Sequence, residues 1–199
     1  FKISQTKNEL KGSITLGVVS TLSPYLIPLA IENIKEILPK VTFIVEENST
    51  VKLMESLENG NIDIALMATP TGNSLLKEFP IFNEQFIAYT KSEKSLSILD
   101  INMNKNNNKL ILLKDEFCYN AQLLTICDIK KTRTYDKQFN FDVTSIETLK
   151  NLVRSDLGFA IIPELSVLQE LDKSLLKPFE DPKPVREISL VVSQSFSKT

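Results

Sequence analysis

The sequence predicts an α/β protein of two Rossmann-like lobes with a cleft between them. Two observations predict it. Strand-like and helix-like runs alternate as β-α-β-α-β over 12–68, a pattern that calls for a parallel sheet covered by helices. A second series of similar build occupies 91–185, with no sequence repeat between the two. A cleft between two such lobes is where a small ligand binds.

The elements follow in order. GSITLGVVS (12–20) reads as a buried strand. SPYLIPLAIENIKEILPK (23–40) reads as a helix, with Ser23 as N-cap, Pro24 at the first helical position and Pro39 past the end. VTFIVEEN (41–48) is the next strand. Ser49 or Thr50 caps the helix VKLMESLENG, which turns Glu55 and Glu58 outward and stops at Gly60. NIDIALMA (61–68) is a third strand and EQFIAYTK (84–91) a fourth. INMNKNNN (101–108) is a polar loop. KLILLK (109–114) opens the second series, with a helix near 120–129 and a strand at QFNFDV (138–143). Ser145 caps IETLKNLVRSD, and Thr148 at the third position leaves the capping box incomplete. Ser155, Asp156, Leu157 and Gly158 turn the chain into LGFAIIP (157–163), and REISLVVS (186–193) is the last strand.

Composition narrows the chemistry. The 199 residues suffice for one large domain or two small lobes. A net charge of −2 gives no surface for holding nucleic acid by phosphate neutralisation. No apolar run approaches the roughly 18 residues of a membrane span. The chain starts at Phe1, so it is read as a piece of a longer protein. It has no histidine, which excludes Ser-His-Asp and Cys-His catalysis. Two cysteines alone cannot build a tetrahedral zinc site, and no cofactor is expected. Two cysteines in so long a chain are not a secreted disulfide framework either, which points to a reducing, cytoplasmic setting.

Those two cysteines, Cys118 and Cys127, lie in CYNAQLLTIC. A continuous helix would rotate them by about 900° and set them roughly 13 Å apart along its axis. A disulfide needs Cα atoms within about 7 Å. The segment is therefore either a loop or a bistable element that oxidation rearranges, unless both cysteines are small buried hydrophobes. Cys118 sits where a helix would start, a position that favours thiolate, and Lys114 would help while Asp115 and Glu116 oppose. Thr21 and Thr50 follow the first two strands, at the ends where open α/β sheets bind ligands; capping is the other reading of both. Thr69, Thr144 and Ser145 are weaker candidates for the same cleft. KKTRTYDK (130–137) reads as a solvated loop.

The stretch from GSITLGVVSTLSPYLIP to GNIDIALMATP resembles the first half of the effector-binding domain of LysR-type regulators. It has the glycine-led strand, the PYLIP helix, the strand after Pro39, the threonine-led helix and the strand after Gly60. TSIETLKNLVRSDLGFAIIP (144–163) resembles the family's later helix-glycine-strand signature. The resemblance implies a periplasmic-binding-protein type II-like fold. One regulatory lobe would comprise 1–88 and 188–199, and the other 89–187 with the cysteine pair. It also implies a homodimer, a tetramer at full length, an N-terminal winged helix-turn-helix that binds DNA, and contact with RNA polymerase. No membrane partner is implied.

Within that family the cysteine pair and the two threonines are similar to the peroxide-sensing branch, which implies hydrogen peroxide as the signal. Cys118 would attack peroxide and become a sulfenic acid, Cys127 would resolve it to a disulfide, and Thr21 and Thr50 would hold the peroxide. The oxidation is stoichiometric, so the domain is read as a sensor and not an enzyme. The sequence departs from the branch at four positions. Phe117 stands for a histidine, Glu116 for a glycine, Ala121 for an aspartate and Ser193 for an arginine. The rival readings are a domain that binds a small organic anion, with incidental cysteines, a periplasmic solute-binding protein and a thiol peroxidase.

Overall fold

The fold is taken from a computed structural model, which describes residues 10–92, 110–114, 119, 123 and 142–195. The chain divides into two compact units, Phe1–Phe82 with Glu187–Thr199, and Asn83–Arg186.

The first unit is built on a sheet in which β1 (Gly12–Val19) pairs in parallel with β2 (Val41–Asn48) and with β3 (Ile64–Thr69). The last strand, β7 (Val185–Ser193), runs antiparallel to β3, with Ala65 opposite Val191 and Thr69 opposite Glu187. Helix α1 (Ser23–Ile37) begins one residue earlier than the sequence suggests. Leu22, not Ser23, is its N-cap, because a turn closed from Leu22 N–H to Val19 O (2.9 Å) already delivers the chain into the helix. Helix α2 (Thr50–Glu58) has Ser49 as N-cap and ends at Gly60, whose φ of 70° suits a residue without Cβ. β3 starts at Ile64 instead of 61, since the N–H groups of Asn61 and Ile62 are still held by Ser56 O (2.9 and 3.3 Å). Asp63 then registers the strand. Its N–H donates to Thr15 O (3.0 Å), and its carboxylate accepts the Thr15 N–H (2.8 Å).

The core of this unit includes Leu16, Val18, Leu22, Leu53, Leu57, Ile62, Met67, Ile188 and Val191. Gly17 decides how closely α2 approaches β1. A Cβ there would lie 2.5 Å from Leu53 Cδ2 and 2.6 Å from Ile62 Cδ1, and both side chains are buried. α1 and β2 are covered less. Leu29, Ile31 and Ile37 of the helix and Ile44 and Val45 of the strand are all more than two-fifths exposed.

The second unit centres on the latter half of β4 (Leu76–Tyr89), which pairs antiparallel with β5 (Ala160–Pro163) and with β6 (Leu176–Pro178). β4 begins well before the expected 84, and β6 was not expected. Pro80 interrupts the strand pattern of the first, and the second is only three residues long. Leu110 bridges Phe159 and Leu113 bridges Val143, both in parallel. Helix α3 (Ile146–Arg154) turns Ile146, Leu149, Lys150 and Val153 inward at helical spacing. Ser145 is its N-cap and accepts the Thr148 N–H at 3.2 Å. β5 starts at Ala160, not 157, because Leu157 N–H is still bonded to Leu152 O (3.1 Å) and Asp156 turns at φ 62°. Of the expected helix near 120–129, Leu123 is described and is helical, as is Tyr119 just before it. The expected strand 138–143 is described at 142–143 alone, and the expected loop 101–108 lies outside the described residues.

Buried charge in this unit is paired. Glu84 meets Arg186 Nε at 2.8 Å and Arg186 NH2 at 2.7 Å, with both side chains 2% exposed, and accepts the Leu165 N–H at 3.1 Å. Glu170 accepts the Tyr89 hydroxyl (2.8 Å) and Arg154 NH2 (2.6 Å), with Lys150 Nζ at 3.7 Å. Burial pushes the Tyr89 hydroxyl well above its ordinary value, and its bond to Glu170 adds to the shift. Burial by itself would raise the Glu170 carboxyl too. The Tyr89 hydroxyl, Arg154, the Asp172 N–H and Lys150 outweigh it and hold the group below its ordinary value.

Two outcomes follow from this packing. Gly17→Ala should destabilise the protein by about 1–3 kcal/mol through overpacking, read as a lower urea midpoint at unchanged slope. Because the folded Glu170 carboxyl titrates below its unfolded value, the stability it contributes is present at neutral pH and is lost as pH falls below about 4.5 toward the folded pKa. Urea midpoints across pH 3–7 should therefore fall less steeply on acidification in Glu170→Gln than in the parent.

Candidate functional site

β2, β1 and β3 are parallel, so their carboxyl ends share one edge of the first unit's sheet. The chain leaves that edge through Asn48-Ser49-Thr50, Val19-Ser20-Thr21 and Ala68-Thr69. Val19 pairs with Asn48, and Ser20 N–H donates to Asn48 O (3.3 Å), so Thr21 and Thr50 each lie two residues beyond one paired position. β7 enters the same edge with Glu187 opposite Thr69.

The side chains collected there share one chemistry. Among the described residues, the buried polar side chains of this unit are Thr21, Ser23, Thr50, Thr69 and Ser189. All five are hydroxyls. Thr69 Oγ1 donates to Glu187 Oε1 (2.8 Å) and lies 2.6 Å from Ser189 Oγ. The Ser20 hydroxyl oxygen is buried and has no hydrogen-bond partner among the described residues. The Thr50 hydroxyl makes no hydrogen bond among the described residues. α1 and α2 both start at this edge, and neither has a side-chain hydrogen bond on its N-cap. The first-turn N–H groups of α2 therefore remain donors, whereas in α1 Pro24 has no N–H and Tyr25 N–H is taken by Leu22 O (3.1 Å). Among the described residues of the first unit, the edge offers donors and neutral hydroxyls, with one carboxylate and no buried lysine or arginine.

Thr21 and Thr50 thus come together here, joined by Thr69. Ser193 does not join them. It ends β7, six residues beyond Glu187, which is about 20 Å along an antiparallel strand and at the sheet's opposite edge. There its hydroxyl lies 2.8 Å from that of Ser195. Thr144 and Ser145 belong to the second unit and are exposed, the latter as the cap of α3. Phe117, Cys118 and Cys127 lie outside the described residues, as do Glu116 and Ala121. Ser20, Glu187 and Ser189 were not anticipated. The available signal was the polar residues set into the otherwise apolar strands GVVS and REISLVV.

The profile of the LysR substrate-binding domain matches residues 7–198. The chain belongs to that family. Its fold is accordingly the type II periplasmic-binding-protein-like fold. A relative in Haemophilus influenzae, a hydrogen peroxide-inducible genes activator, is 32% identical over 192 residues, covering 94% of this chain and 63% of its own. OxyR from Porphyromonas gingivalis superimposes with a TM-score of 0.80 at 29% identity, over 94% of this chain and 86% of that one. A peroxide-bound cysteine-to-serine mutant of OxyR from Corynebacterium glutamicum also scores 0.80, at 27% identity over 93% and 59% of the two chains. The chain spans less than two thirds of the length of the curated relatives it matches.

The different partnering of the threonines of this LysR domain is testable. Thr69→Val leaves the Glu187 and Ser189 oxygens without their shared partner and should cost about 1–3 kcal/mol. Thr50→Val removes no hydrogen bond made among the described residues and should change stability by less than about 0.5 kcal/mol. Urea denaturation of both variants in the absence of ligand checks the contrast.

Proposed function

We propose that the chain is the regulatory domain of a LysR-type transcription factor that senses hydrogen peroxide by reversible Cys118–Cys127 disulfide formation. The observation that carries the reading is the hydroxyl-lined edge of the first unit. Hydrogen peroxide is small and neutral and both donates and accepts hydrogen bonds, as do threonine hydroxyls. Thr21 and Thr50 orient the peroxide. Cys118 attacks as thiolate and becomes a sulfenic acid, and Cys127 closes the disulfide with release of water. The similarity to proteins named as hydrogen peroxide-inducible activators, and to a peroxide-bound OxyR, supports the same signal.

The rival occupant is a small organic anion. An anion would be drawn to the N-terminus of α2, but it would also meet the Glu187 carboxylate, with no buried cation among the described residues of the first unit to offset it. The hydroxyl edge therefore favours the neutral ligand. At Phe117 the chain lacks the histidine of the peroxide-sensing pattern, so its thiolate has one stabilising neighbour fewer and its oxidation is slower.

The remaining assignments belong to the same proposal. One regulatory lobe comprises 1–88 and 188–199, the other 89–187. Two copies associate, which would cover the exposed apolar side chains of α1 and β2, and the full-length protein is a tetramer. An N-terminal winged helix-turn-helix carries DNA binding, RNA polymerase is the downstream partner, and the protein works in the cytoplasm. The domain turns over no substrate.

One equivalent of peroxide should convert the reduced protein to a single intramolecular Cys118–Cys127 disulfide. Intact mass and peptide mapping after alkylation read the product. Cys127→Ser should leave a trappable sulfenic acid on Cys118, and Cys118→Ser should be inert. Both cysteines remaining alkylatable after peroxide would defeat the redox reading.

A further inference from the structure

Thr50 opens α2 and is 9% exposed, and its hydroxyl makes no hydrogen bond among the described residues. Met54 stands one turn further along the helix and is half-buried. At about 100° per residue the two lie about 40° apart on the helix surface, and Met54 lies about 60° from Leu57. Leu53 and Leu57 are fully buried, whereas Val51, Lys52 and Glu55 are exposed. Met54 therefore sits on the border of the inward face, one turn behind Thr50. A long side chain on a helix leans back over the preceding turn, toward the helix N-terminus. That lean carries the Met54 thioether toward Thr50 and the strand ends beside it. Met67, by contrast, is fully buried within β3.

We propose that Met54 is a second site of peroxide oxidation, formed with the Thr50 hydroxyl at the start of α2. The inference rests on peroxide binding at the hydroxyl edge, as in the sensing function above, and it requires neither cysteine. The thioether sulfur attacks one peroxide oxygen with a lone pair. The O–O bond breaks and an S–O bond forms. The proton on the attacked oxygen has to reach the departing oxygen, which leaves as water. A hydroxyl both accepts and donates, so Thr50 takes the first proton while giving its own to the leaving oxygen. Methionine loses two electrons and becomes the sulfoxide, and peroxide is reduced to one water. No ionised group takes part, which suits an edge with no buried cation among the described residues of the first unit. Thiol reductants that reopen a disulfide leave a sulfoxide in place, and a methionine sulfoxide reductase restores it. Met54 thus keeps a record of exposure that a reduced disulfide no longer shows.

The test is peptide mapping of the parent, Thr50→Val and Thr50→Ser over a time course in excess hydrogen peroxide, quenched with catalase. The parent should gain one oxygen at Met54 while Met67 stays a thioether. Thr50→Val should slow oxidation of Met54 about tenfold, through loss of a positioned proton relay. Thr50→Ser should keep the parent rate. Equal rates in the parent and Thr50→Val would overturn the site, because exposure of the sulfur would then suffice. The cysteines are read in the same digests. A Cys118–Cys127 disulfide beside an unoxidised Met54 would overturn the Met54 site and leave the sensing function standing. Free cysteines beside Thr50-dependent oxidation of Met54 would overturn the disulfide and support peroxide binding at the edge.

Discussion

Helix α2 can lie against β1 only because residue 17 has no side chain. Leu53 of the helix and Ile62 after it fill the space a Cβ would take. That close approach fixes where the helix begins, and so where Thr50 stands relative to Thr21 at the end of β1. Asp63 then closes the β-α-β unit by gripping both backbone polar groups of Thr15. The hydroxyl edge is a consequence of these two contacts. Parallel pairing puts three strand ends side by side, and tight packing leaves room there for small side chains alone.

The two units handle buried polarity in different ways. In the first, the buried polar residues described are hydroxyls, and the one carboxylate beside them, Glu187, is half-buried and held by Thr69. In the second, buried charge is present and paired: Glu84 with Arg186, and Glu170 with Arg154, Lys150 and the Tyr89 hydroxyl. A buried ion pair contributes little net stability, but loss of one partner strands the other at high cost. Glu84 and Arg186 lie beside the two points where the chain crosses between units, 82–83 and 186–187. The pair ties both crossing strands into the second unit. An unpaired hydroxyl costs less than an unpaired buried charge, so the first unit can leave the Thr50 hydroxyl unused among its described residues.

Periodicity and turn chemistry made most of the first unit legible. Apolar runs separated by Pro24, Pro39 and Gly60 place the β-α-β-α-β order without ambiguity, and Ser145 marks the start of α3. The misplacements have local causes. Strands were expected to begin where apolar character begins, at 61 and 157, whereas both chains stay bonded to the preceding helix for a few residues more. Pro80 concealed the first half of β4. Thr21 and Thr50 were legible because strand ends bind ligands in open sheets. Glu187 and Ser189 were not, because strand register decides that they face Thr69, and register is not written in local sequence.

Ser193 shows the same dependence from the other side. The resemblance sets it where a peroxide sensor has arginine, yet β7 runs antiparallel and carries it to the edge away from Thr21 and Thr50. Within the first unit a residue there cannot lend charge to those hydroxyls at short range. On the proposed reading, Phe117 likewise gives the thiolate no proton donor. What remains in the sequence around Cys118 is its place directly before the helical, core-bound Tyr119. A helix start stabilises a thiolate through free backbone N–H groups and needs no cation.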